Sequence, residues 1–79
     1  MTEIEYAIVL FESTQNAIKA ERALIKRGFQ VKLIPTPRQF SANCGTALRC
    51  PWCDADAIRD ALQSASVEYS AIEHMRVQQ

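Results

Sequence analysis

The run from Tyr6 to Phe11, within EYAIVLF at residues 5–11, is the longest apolar stretch of the chain and constrains the fold most. It is far too short to cross a bilayer, which takes about 20 residues. A short apolar run with Ile8 and Val9 at its centre fits a sheet's central strand, contacted on both faces. The segment EST follows, with Ser13 or Thr14 able to cap a helix. Ala17, Ile18, Ala20, Leu24 and Ile25 then fall on one side of that helix, with Lys19, Arg22, Lys26 and Arg27 outside the stripe. Gly28 is a natural stop. Glu21 interrupts the apolar arc. Such an acid more often reaches out at the margin of a stripe than shuttles a proton or pairs with a sheet arginine.

The remaining pattern extends this beginning into a complete small fold. QVKLIP, residues 30–35, alternates and ends at proline, as a second strand does. TPRQFSANCG is a ten-residue connection with turn signals, and long loops in compact domains are often functional. TALRC, residues 46–50, reads as a short third strand. A second helix is expected from Pro51 or Asp54 to Ala65, burying Ile58, Ala61, Leu62 and Ala65. VEYSAIEH, residues 67–74, alternates as a fourth strand, and MRVQQ, residues 75–79, is expected to fray. The order β-α-β-β-α-β predicts an α+β ferredoxin-like sandwich. Its antiparallel sheet has strand order 4-1-3-2, with two helices on one face. The 79 residues make one domain with its core at about 5–74. A chain this small buries only about 60% of its unfolded surface. The other sheet face is partly apolar, and a homodimer through it is expected.

Nine basic and nine acidic residues cancel, with no block of like charge, so no nucleic-acid partner is expected. The acidic start MTEIEY is neither a signal nor a transit peptide. A cytoplasmic protein with no membrane partner and reduced thiols is expected.

The chemistry-bearing residues are the cysteines, all within CGTALRCPWC at residues 44–53. An odd number disfavours a purely structural disulfide framework. In this topology Cys44 lies where the first strand gives way to the first helix. Cys50 and Cys53 lie at the opposite end, where the second helix opens. Five or so residues of strand make that about 15 Å, beyond the roughly 7 Å that a disulfide spans. Thiols near helix N-termini are stabilised as thiolates, the reactive form. Gly45 permits close approach beside Cys44, and Arg38 and Arg49 can add positive charge. The bland alternative for Cys44 is a small buried apolar residue.

Cys50-Pro51-Trp52-Cys53 has the spacing of a thiol–disulfide exchange motif, with Cys50 as the exposed thiol and Cys53 resolving. The opposing reading is two thiols at a helix start with Trp52 covering the core's edge. The order of elements also departs from thioredoxin-like chains, since IPT at residues 34–36 precedes the motif. Three cysteines plus His74 could make four zinc ligands only if the separated thiols met. Zinc at Cys50 and Cys53, shared between subunits, is the least favoured reading. His74 reads as a solvated strand-end residue. No resident metal or other cofactor is expected.

The stretch from Tyr6 to Arg49 resembles the small bacterial family described as selenium/sulfur carrier protein-like. FESTQNAIKAE, LIPTPR and the pattern S-x-x-C-G-x-A-x-R carry the resemblance, which covers roughly residues 5–72. It implies that Cys44 is the working thiol, surrounded by Pro35, Thr36, Pro37, Arg38, Ser41, Gly45 and Arg49, with Glu21 matching a recurring acid. It implies a carrier of sulfur or selenium, holding a persulfide or selenosulfide and working with donor and acceptor proteins, rather than a stand-alone enzyme. CPWC departs from the family pattern, which has an apolar residue followed by acids at the second helix. That departure adds a dithiol redox role through Cys50 and Cys53 as an alternative. A non-catalytic dimerising module is a third.

Overall fold

The computed structural model describes residues 3–40 and 45–78. It contains β1 (Glu3–Leu10), α1 (Thr14–Lys26), β2 (Lys32–Pro35), β3 (Thr46–Pro51), a 3₁₀ turn (Trp52–Asp54), α2 (Ala55–Ser64) and β4 (Ala71–Gln78). The strands form one antiparallel sheet in the order β2-β3-β1-β4, the ferredoxin-like order expected from the sequence, read from the other edge. β1 sits inside the sheet between β3 and β4, which is why its residues 7–10 are apolar without alternation.

Strand periodicity divides these side chains between two faces. Ala7, Val9 and Phe11 join Leu48 and Cys50 beneath the helices. There they meet Ala17, Ala20 and Leu24 of α1 and Ile58, Ala61 and Leu62 of α2. Ile8, Leu10 and Ala47 point to the other face. That face is less open than the sequence suggests. Ile8 and Ala47 are fully buried, packed by Tyr6, Ile34, Phe40, Ala71 and Met75 of the same chain.

The helix boundaries follow from capping. Ser13 accepts a hydrogen bond from the Asn16 amide at 3.2 Å and starts α1. Arg27 closes it, Gly28 takes φ 89°, and the Phe29 amide donates back to the Leu24 carbonyl at 3.0 Å. This is a Schellman motif in which glycine pays no steric penalty. The buried stripe of α1 is narrower than expected, because Ile18 and Ile25 lie on its outer surface, 37% and 53% exposed. Glu21 is half-buried at the margin.

Two expectations at the C-terminal half are corrected. Residues 67–70 are not strand. Ser66 takes φ 56° and the Val67 amide donates to the Leu62 carbonyl at 3.0 Å, so Val67 is the apolar residue that follows a Schellman cap. Val67 and Tyr69 still pack on the core, and their alternation imitated a strand. β4 instead runs through MRVQ, pairing Met75 with Tyr6, Val77 with Ile4 and Gln78 with Glu3. Those residues do not fray, because the length of β1 offers them backbone partners. No helix among the described residues is long and apolar enough to cross a membrane.

Candidate thiol sites

The end of the sheet at which β1 passes into α1 also holds the chain that enters β3. Gly45 is exposed, and its carbonyl accepts a hydrogen bond from the Thr36 amide at 3.0 Å. Leu10 pairs with Ala47, so Gly45 lies close to the turn that opens α1 at Ser13. Cys44 and Ser41 lie outside the described residues. Arg38 is exposed. Arg49 belongs to the other end of the strand. Its guanidinium carbon stands 4.7 Å from the centre of the Tyr6 ring, and Tyr6 pairs with Pro51. Six residues of extended chain separate Pro51 from Gly45, on the order of 20 Å. Arg49 is therefore directed away from the Gly45 end that the resemblance grouped it with.

CPWC does not sit as one unit at the start of α2. Cys50 is the penultimate residue of β3, and its side chain follows Leu48 inward to the helices. Only 1% of it is exposed. Burial, with the Asp54 carboxylate adding repulsion, pushes its pKa from 9.0 up to about 12. Cys53 lies in the 3₁₀ turn and is exposed, its Sγ 3.9 Å from Asp54 Oδ1. The exposure is the reverse of what the exchange motif requires, since the first thiol is buried and the second faces solvent. Both are free thiols. Pro51 ends the strand rather than opening α2, and Trp52–Asp54 turn the chain before the helix begins.

One arrangement here had no signal in sequence spacing. His74 lies within β4, opposite Ala7, not at a strand end. Its Nε2 is 2.7 Å from Glu5 Oε1, and its ring stacks on Trp52 with centroids 4.0 Å apart and planes 16° from parallel. Arg76 Nε approaches the same Glu5 oxygen at 3.3 Å. Trp52, expected to cover the core's edge, stacks on a histidine instead. Cys50 and His74 both pair with Ala7, so β1 separates them by two strand spacings, about 10 Å. Among the described residues, no three of His, Cys, Asp and Glu gather where a metal ion could be held.

The sequence profile of a family described as "Putative Se/S carrier protein-like" matches residues 5–73. The chain belongs to this family. The match runs from within β1 to the start of β4, so both helices and the three other strands, not the cysteine segment alone, fall within what the carrier-like family shares. No curated protein and no solved structure matches the chain.

Proposed function

We propose that this member of the carrier-like family holds sulfur or selenium on Cys44, as a persulfide or selenosulfide, and passes it between proteins. Family membership across residues 5–73 carries the reading. Of the two described thiols, Cys50 supports it by its unsuitability, since it is buried and its pKa is raised to about 12. In the loading step the Cys44 thiolate attacks the terminal sulfur of a donor protein's persulfide. An S–S bond forms at Cys44 as the donor's S–S bond breaks. The donor leaves as a thiolate with the electron pair, so there is no net oxidation. Unloading to an acceptor repeats the exchange in the other direction. Selenium in place of the terminal sulfur follows the same electron count.

The dithiol alternative requires Cys50 to leave the core before it can pair with Cys53, which makes it the slower chemistry. The homodimer draws on the partly exposed Tyr6, Met75 and Val77, but the apolar centre of that face is already covered by the chain itself. Incubation with a cysteine desulfurase and cysteine tests the carrier reading. Intact mass should rise by ~32 Da per sulfur held as persulfide. The gain should vanish in Cys44→Ser and persist in Cys53→Ser. A gain that survives Cys44→Ser rejects the reading.

A further inference from the structure

β3 outruns β2. Lys32, the first residue of β2, pairs with Arg49, whereas Cys50 and Pro51 pair only with β1. The missing length of β2 leaves a notch in the sheet edge of about 360 Å³. Phe29, Val31 and Pro51 give it apolar walls, and Tyr6 lines its far side. Its polar lip is formed by Lys32 and Arg49, with Gln30 beside them.

The charges of this lip are unbalanced. Lys32 and Arg49 stand directly opposite on neighbouring strands, and like charges so placed destabilise a sheet. No carboxylate lines the notch. Among the described residues the ion pairs of basic side chains involve Arg59, His74 and Arg76, and neither Lys32 nor Arg49 takes part in one. The acid in the same row, Glu73, is beyond β1 on β4, two strand spacings or about 10 Å from Arg49. Arg49 is half-buried and lies over the Tyr6 ring. A stacked guanidinium keeps its N–H edge free, in the fork geometry that grips a carboxylate or oxyanion through two parallel hydrogen bonds. A half-buried cation facing a second cation, with apolar walls beside them, is complementary to an anion that carries an apolar body.

We infer that the notch between β2 and β3 binds a small organic anion, its carboxylate or oxyanion held by Arg49 and Lys32 and its body against Phe29, Val31 and Pro51. The site lies at the opposite end of β3 from Gly45 and stands independently of the chemistry proposed for Cys44. Titration of the ¹⁵N-labelled full chain with benzoate, sulfate and phosphate, each against sodium chloride at matched ionic strength, tests it by amide chemical shift. Saturable shifts at residues 29–32, 49 and 50 are expected, and Cys44→Ser should leave them unchanged. Tighter binding of benzoate assigns the site to an organic anion. Arg49→Gln should weaken binding about tenfold or more, the loss expected for a charge-assisted contact. Lys32→Gln, on the exposed edge strand, should weaken it in the same direction and carries the test should the arginine variant fold poorly. Absence of saturable shifts beyond the chloride control, preference for sulfate or phosphate over benzoate, or binding indifferent to Lys32→Gln would overturn the inference.

Discussion

Cys50 and Cys53 are three residues apart and differ in almost every physical respect. One is held at 1% exposure under the helices and the other is exposed in a 3₁₀ turn. Iodoacetamide at pH 8 should therefore label Cys53 readily and Cys50 only after unfolding, read by peptide mass spectrometry. Equal native labelling would show that Cys50 leaves the core easily. The raised pKa of Cys50 is also a statement about stability. Its thiol keeps its proton in the folded chain while the unfolded chain loses it near 9.0, so the folded state binds more protons between 9.0 and about 12. Its contribution is complete below pH 9.0 and is lost as pH rises towards 12. Urea unfolding across this range should show stability falling with pH, with a shallower fall in Cys50→Ala. Read from the sequence, Cys50 is the exposed thiol, whereas strand parity groups it with Leu48, which the structure buries in the core. What hid it was the CxxC spacing, which reads as one motif although the strand ends inside it. The stack of His74 on Trp52 was not legible, because it depends on the pairing of β4 with β1.

The secondary-structure elements owe their ends to a few caps, and these make the cleanest tests of local energetics. Gly28 and Ser66 occupy equivalent left-handed positions after α1 and α2, with φ of 89° and 56°. A Cβ at Gly28 meets nothing within 4 Å, so Gly28→Ala tests the backbone alone. It should cost about 1 kcal/mol. Ser66→Gly should stabilise the chain by up to about 1 kcal/mol, as the strained serine is relieved. Chemical denaturation of both variants checks the pair, and a stabilising Gly28→Ala would contradict the assigned cap. Gly28 announced its cap in the sequence. Ser66 did not, because serine is uncommon there, and the alternating Val67 and Tyr69 beyond it imitated a strand. That moved the expected β4 four residues early and turned its true second half into a supposed tail.

Over the whole chain, the β-α-β-β-α-β order was readable because an apolar central strand, two amphipathic helices and a proline-ended edge strand leave few topologies open. The sheet seats one core beneath the helices. Leu48→Ala, in the middle of β3 and fully buried, should cost about 2–5 kcal/mol in urea unfolding. A loss under 1 kcal/mol would mean that the core is packed otherwise. The fold holds Cys50 and Cys53 in distinct environments, and Cys44 is the thiol we propose as the carrier. Trypsin cleaves after Arg38, Arg49 and Arg59, so residues 39–49 carry Cys44 alone and residues 50–59 carry both other cysteines. Peptide mapping of the wild-type chain after loading by a cysteine desulfurase therefore measures which thiol holds the sulfur. The extra sulfur should be found on the 39–49 peptide; finding it on the 50–59 peptide instead would contradict the carrier assignment to Cys44.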